Sequence, residues 1–95
     1  MTMSENYSIY IGGKPLMNYV TALVMQFTAK DSGKVAVKSR GKFISRAVDV
    51  VEVARNKFLK DKIIVESISI GSEDFTNEAG KPVRVSTIEI VLAKK

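Results

Sequence analysis

Hydrophobic positions follow a helical spacing in two segments of the chain and a strand-like pattern in four others. A short strand is predicted from Tyr7 to Ile11, just before a pair of glycines. Apolar residues then recur at i, i+4, i+7 and i+11, which places them on one face of a helix ending near Lys30; they are Leu16, Val20, Leu23 and Phe27. Pro15 suits the first position of this helix, because its ring presets φ and its missing N–H would have no intrahelical partner.

The middle of the chain predicts a second strand and a second helix. From Lys34 to Arg40 the period is two, with Val35 and Val37 on the buried face. Gly41 ends this strand, and the inward stripe of the following helix is then Ile44, Ala47, Val48, Val51, Ala54 and Phe58. A second apolar stripe on the same helix indicates a subunit contact; it consists of Phe43, Val50 and Val53.

The last third of the chain predicts an antiparallel hairpin with a polar arm. Residues 63–70 and 83–93 are rich in Ile and Val, as is typical of strands. Between them, residues 71–84 are too polar for a core and are expected to form an exposed arm that turns at Gly80. The order β-α-β-α-β-β predicts a single α/β domain, of the α+β sandwich type, with a mixed four-stranded sheet and two packed helices. We expect a flexible N-terminus at residues 1–6 and the domain at residues 7–95.

Composition narrows the classes of function. The chain is 45% hydrophobic and contains no Cys and no His, so disulfides, thiol nucleophiles, imidazole bases and the usual zinc ligands are excluded. No residue set supplies nucleophile, base and orienting group together, so we predict neither catalysis nor a cofactor nor a metal site. No apolar run approaches the ~20 residues of a membrane span. A soluble, cytoplasmic protein with no membrane partner is expected.

The net charge of +5 is concentrated in one segment. Residues 33–46 contain five Lys or Arg and no carboxylate, while the other residues hold ten basic and ten acidic side chains. Such clustering favours a polyanionic partner. If Gly41 lets the chain turn sharply, strand and helix bring together a patch suited to neighbouring phosphates, which consists of Lys38, Arg40, Lys42 and Arg46. The alternative is a solvated surface.

Two further segments carry candidate binding residues. Lys14 lies at the mouth of the first helix, whose leading N–H groups suit an anion, although an ordinary turn explains the Gly-Gly pair as well. Asn18 and Tyr19, in the first helical turn, are candidate phosphate or sugar contacts, or a plain surface pair. In the arm, Lys81 and Arg84 suit a nucleic-acid groove. The arm's acidic residues favour a mobile loop instead; they are Glu73, Asp74 and Glu78.

Three separated motifs resemble the Alba family of archaeal chromatin proteins. They are "IGGKPLMNYV", "VKSRGKFISRAVDVVEVARNKFL" and "RVSTIEIVLAKK", and the likeness extends from about Tyr7 to Lys95. The resemblance implies a fold similar to the C-terminal domain of bacterial translation initiation factor three. It also implies a non-catalytic homodimer that binds double-stranded DNA and RNA and associates with the chromosome.

The resemblance further implies roles for individual residues. Lys14 would belong to the binding loop and be a candidate site of reversible acetylation, with acetylating and deacetylating enzymes as partners. Arg40 and Lys42 would contact the nucleic-acid backbone, and the arm would contribute Lys81 and Arg84. Phe58 matches a position of contacts between dimers, while its place in the inward helical stripe favours the core instead.

The function predicted from the sequence is a dimeric protein that coats or compacts double-stranded DNA with little sequence preference and also binds RNA. No helix carries a row of base-reading side chains, so phosphate contacts are expected to dominate. One alternative is a dedicated RNA-binding protein, either an RNA chaperone or a ribonucleoprotein subunit. A second alternative, of another class, is a protein-interaction module for an acidic partner.

Overall fold

The computed structural model describes residues 6–95, and its elements follow the predicted order. The strands are β1 (Asn6–Tyr10), β2 (Lys34–Arg40), β3 (Ile63–Thr76) and β4 (Pro82–Lys94). The helices are α1 (Leu16–Thr28) and α2 (Ile44–Val53), and α2 is preceded by a 3-10 turn (Gly41–Phe43) and followed by a π-helical turn (Ala54–Phe58). The predicted flexible N-terminus lies outside the described residues apart from Asn6, which begins β1.

The four strands form one mixed sheet in the order β1-β2-β4-β3. β1 is parallel to β2, whereas β4 is antiparallel to both of its neighbours. Helix α1 packs against β1 and α2 packs against β2, so β3 lies at the sheet edge that the helices leave open. The prediction of two helices on a mixed four-stranded sheet is confirmed.

The hydrophobic core lies between the helices and the inner face of the sheet. Val35 and Val37 are fully buried, as the period-two pattern predicts, and α1 buries Val20, Leu23 and Phe27. Leu92 and Ile90 of β4 pair with these two valines of β2 and complete the layer. Helical and strand periodicity therefore locate the centre of the core correctly.

The predicted stripes of α2 are partly wrong. Val50 is fully buried in the core, so it cannot serve as a surface contact, and Val53 packs against the core as well. Val48, predicted to face inward, is exposed. The physical reason is that the buried face of α2 is centred between Ala47 and Val50, about a sixth of a turn from the predicted centre.

Phe58 is 50% exposed, so its predicted inward placement is also wrong. In a regular helix Phe58 would lie on the same face as buried Ala54, four residues earlier. The turn is wider here, because the Leu59 N–H donates to the Ala54 carbonyl at 2.8 Å, an i to i+5 bond. This extra residue turns Phe58 outward and places Leu59 in the core, with 1% of its surface exposed.

The predicted arm is the distal part of the β3–β4 hairpin. Both strands extend further than the sequence predicts, pairing as far as Thr76 with Pro82. Every residue from 71 to 82 is exposed, and the ladder is irregular only between Val65 and Ser67. At the tip, the Asn77 side-chain oxygen accepts hydrogen bonds from the Ala79 and Lys81 N–H groups, and Gly80 adopts a φ of 79°. The arm is thus a regular two-stranded ribbon.

Within the described part of the chain, neither helix is long and apolar enough to cross a membrane.

Candidate nucleic-acid interface

The candidate site lies at the end of the sheet where β1 and β2 both finish. Because these strands are parallel, the loop after β1 and the turn after β2 lie side by side. Two hydrogen bonds hold them together: the Ile11 N–H donates to the Lys38 carbonyl at 2.8 Å, and the buried Ser39 hydroxyl donates to the Ile11 carbonyl at 3.1 Å. The arm leaves the sheet at the same end.

Tyr19 fixes the loop after β1. Its hydroxyl accepts hydrogen bonds from the N–H groups of Gly12 at 3.0 Å and Lys14 at 3.1 Å. The Lys14 carbonyl in turn accepts a 3.0 Å hydrogen bond from the Arg46 guanidinium of α2. The Lys14 side chain therefore extends from a backbone held on both sides. Tyr19, predicted as a ligand contact or a surface residue, is half-buried and orients this loop, while Asn18 is exposed beside it.

The turn after β2 depends on Gly41. Its φ of 60° lies in the left-handed region, which glycine adopts at little cost, and it allows the chain to enter the 3-10 turn directly. Lys42 follows within this turn, with its Nζ 5.5 Å from the centroid of the Phe43 ring. The side chains at this end of the sheet form what we call the cationic end, which consists of Lys14, Arg40, Lys42 and Arg46.

One member of the cationic end is paired with an acid from the arm. The Arg40 guanidinium donates to the Glu73 carboxylate at 3.0 Å, and its Cζ lies 5.8 Å from the centroid of the Phe75 ring. The sequence shows no carboxylate near Arg40 because its partner is 33 residues away and reaches it across the sheet. Among residues 6–95, Lys14, Lys42 and Arg46 form no ion pair with a carboxylate. Three of the four cations are thus available to an anionic ligand.

The two predicted arm cations differ in their surroundings. Arg84 lies directly opposite Asp74 on the neighbouring strand, and two hydrogen bonds of 2.7 and 3.3 Å join them. These hydrogen bonds from the guanidinium to the Asp74 carboxylate raise the pKa of Arg84 above its ordinary value. Lys81 is at the tip, and its backbone is held by Asn77. Among the described residues Lys81 is therefore the arm cation that has no carboxylate partner.

Lys38 lies two residues before Arg40 on the same face of β2, so it is farther from the turn at Gly41. Its side chain points away from the helices, and its Nζ lies 5.6 Å from the centroid of the Tyr10 ring. The structure thus divides the predicted residues into three groups. One is the cationic end, the second is the arm, and the third is Lys38 on the face of the sheet opposite the helices.

Two sets of exposed residues are missed by the sequence reasoning. Ile68 and Ile70 of β3 are 61% and 84% exposed, because this strand lies beyond the reach of the helices. Tyr10 and Phe75 are exposed aromatic residues that stack with cations of β2. The alternation of Ser and Ile in β3 indicates that the Ile side chains share one face of the strand. The position of β3 at the edge of the sheet, however, cannot be predicted from this segment alone. Phe43, a predicted subunit contact, is half-buried.

Comparisons with known proteins agree on one family. The Alba family model matches residues 8–72. The chain is 48% identical over 93 residues to DNA/RNA-binding protein Alba 1 of Archaeoglobus fulgidus, covering 98% of this chain and 100% of the relative. It is 44% identical over 86 residues to DNA/RNA-binding protein Alba of Methanococcus maripaludis, covering 90% of this chain and 96% of the relative.

A solved structure gives the same result for the fold. Alba from Thermoplasma volcanium superimposes with a TM-score of 0.84 at 45% sequence identity. The match covers 90% of this chain and 98% of that one.

Proposed function

Because the chain belongs to the Alba family, we propose that it binds double-stranded DNA and RNA by gripping the phosphate backbone with its cationic end. The observation that carries this proposal is the convergence of Lys14, Lys42 and Arg46 on one end of the sheet without carboxylate partners in the described residues. Each such cation that meets a phosphate releases condensed counterions, which favours binding at low salt. Phosphate contacts position a protein without reading bases, so little sequence preference follows.

The arm extends the same binding surface. It leaves the sheet beside the cationic end and projects as a two-stranded ribbon with Lys81 at its tip. A ribbon of this width fits a groove of a duplex. Body and arm together would hold the backbone and one groove, which supports a role in coating nucleic acid and an association with the chromosome.

A homodimer is part of the proposal, and the exposed apolar residues support it. α2 directs Arg46 towards the loop next to α1. Its opposite flank carries exposed Val48 and therefore faces the part of the helix side of the sheet, over β4 and β3, that the helices leave uncovered. There β3 presents Ile68 and Ile70. From Ser67 to Ser72 the strand carries no charge, so an acidic partner gains nothing from this surface. A second copy supplies a matching apolar face through a two-fold axis.

A salt-dependent binding series tests the cationic end. The Arg40→Glu, Lys42→Glu double variant is expected to lose affinity for a duplex and to show a slope of log affinity against log salt reduced by about 0.9 per lost phosphate contact. The matched control is Lys60→Glu, Lys62→Glu, which makes the same change in net charge at the opposite end of the sheet. An equal loss in both double variants, or no loss in the first, contradicts the assignment of the cationic end.

The dimer has its own test. Light scattering of the wild type is expected to give about twice the 10.5 kDa mass of one chain, and Ile70→Lys is expected to reduce it towards one chain. Met17→Lys is the control, because Met17 is an exposed apolar residue on α1, away from β3. A dimer that survives Ile70→Lys, or a wild type of single-chain mass, refutes this interface.

A further inference from the structure

The sheet has one face that the helices do not cover. Side chains alternate along each strand, so those opposite to buried Val37 lie on this open face. The register places Tyr10, Lys38, Glu89 and Ser69 in one row across all four strands. The row spans three strand spacings, or about 14 Å. Tyr10 is 69% exposed at its end.

A groove of about 740 Å³ at this end of the sheet takes in this row and extends to the root of the arm, and its lining also includes Ser39, Ile70 and Ile88 of the helix side. Its lining includes Tyr10, Lys38, Arg40, Ser69, Thr87 and Glu89. Gly71 also lines it, and a Cβ at this position would lie 3.2 Å from the Thr87 hydroxyl oxygen. The absence of a side chain at Gly71 therefore keeps the groove open at the point where the arm begins.

Two aromatic rings on this face each have a cation over them: Tyr10 lines the groove, and Phe75 lies beyond it on the arm. Lys38 Nζ lies 5.6 Å from the Tyr10 centroid, and Arg40 Cζ lies 5.8 Å from the Phe75 centroid. Lys38 and Arg40 are two residues apart on the same face of β2, so the order across the surface is aromatic, cation, cation, aromatic. Exposed rings stack with nucleobases of any sequence, and Lys38, which forms no ion pair among the described residues, can meet a phosphate between those bases.

The groove differs from the cationic end in its balance of charges. Glu73 and Glu89 both line it and offset Lys38 and Arg40, so its attraction for a dense phosphate backbone is weak. The bases of a duplex are paired and stacked, so they do not offer their faces to Tyr10 or Phe75. Unstacked bases do, and Glu89 with the hydroxyl groups of Ser69 and Thr87 accepts hydrogen bonds from their amino groups.

We propose that the open face binds single-stranded nucleic acid by stacking bases on Tyr10 and Phe75. This second site is centred on Tyr10 and Lys38 and shares only Arg40 with the cationic end, and it goes beyond the duplex binding proposed above. Glu73 and Glu89 leave it few net cations, so it makes fewer phosphate contacts and depends less on salt than duplex binding does. RNA and DNA single strands share the chemistry that it recognises.

Fluorescence anisotropy with the full chain tests this site. The probes are a twelve-nucleotide RNA and a twelve-nucleotide DNA without self-complementarity, and a duplex of the same DNA. Tyr10→Ala is expected to weaken binding of both single strands by roughly 5-fold or more, by a similar factor at low and at moderate salt, and to leave the duplex affinity unchanged. Phe75→Ala is expected to weaken single-strand binding in the same way, and Tyr10→Phe is expected to retain it.

The matched control is Tyr7→Ala. Tyr7 is an exposed tyrosine of the same strand whose side chain lies on the helix side, because it pairs with buried Val35. The proposal is overturned if Tyr10→Ala and Phe75→Ala bind single strands as the wild type does, or if Tyr7→Ala loses as much. It is also overturned if the Tyr10→Ala loss is as large for the duplex. Circular dichroism confirms that each variant is folded, and Phe75→Ala preserves the test if Tyr10→Ala is not.

Discussion

The ion pair between Arg40 and Glu73 allows two effects on binding to be separated: the availability of one cation and the net charge of the protein. Glu73 holds a cation that would otherwise meet a phosphate. Replacing Glu73 by Gln keeps the shape of the side chain and removes its charge, so Arg40 becomes available. We expect the Glu73→Gln variant to bind duplex nucleic acid more tightly than the wild type.

The magnitude follows from one additional phosphate contact. The slope of log affinity against log salt should become steeper by about 0.9, so the advantage of the variant should shrink by about 3.5-fold between 50 and 200 mM salt. Both side chains of the pair are more than half exposed. Such pairs contribute about 0 to 1 kcal/mol to folding, so the stability should barely change. The effect is expected in binding and not in the melting temperature.

The assay is a duplex titration at four or more salt concentrations, with Glu66→Gln as the matched control. Glu66 forms an exposed ion pair of 2.9 Å with Lys34, which lies at the opposite end of β2 from Arg40. Both variants raise the net charge by one unit, but only Glu73→Gln releases a residue of the cationic end. An unchanged slope in Glu73→Gln, or an equal gain in Glu66→Gln, would refute the reasoning.

Three further predictions test single features. Lys14→Gln, which mimics acetylation, should lower the duplex slope by about 0.9, while Lys14→Arg retains it, as a salt series would show; an unchanged Lys14→Gln slope counts against the loop contact. Tyr19→Phe removes the oxygen that accepts the Gly12 and Lys14 N–H groups, so hydrogen exchange at these two amides should accelerate while the core amides stay as they are. Leu59→Ala should cost about 2 to 5 kcal/mol in denaturant unfolding, and Phe58→Ala much less; the reverse order would contradict the wide turn.

The sequence predicts the elements and the central core well, because periodicity is a local property. The spacing of Val20, Leu23 and Phe27 requires no knowledge of the partner surface to identify a buried helical face. The same logic fails at Phe58, since it assumes a constant period and the π-helical turn adds one residue. Nothing in the sequence of this turn signals the change.

The candidate site is predicted only where it is local. Arg40, Lys42 and Arg46 are close in sequence and share one end of the sheet, as expected from Gly41. The pairing of Arg40 with Glu73 depends on which strand lies next to which, and this is set by the strand order of the whole sheet. The exposure of Ile70 likewise depends on where the helices end above the sheet. Tertiary arrangement of this kind is not encoded in any single segment.

The uninterrupted pairing of the arm has a mechanical consequence. From Ser67 to Thr76 every residue of β3 has a partner on β4, so no unpaired residue serves as a hinge. The outer ribbon is about 20 Å long from Gly71 to the tip, so a rotation of about 5° at its root moves the tip by nearly 2 Å. The arm therefore behaves as a stiff lever, and the twist of the sheet sets the direction in which it points. In a two-fold assembly, a small rotation at the subunit contact would therefore change the distance between the two arm tips. That distance would set the spacing of the grooves that a pair of arms can span.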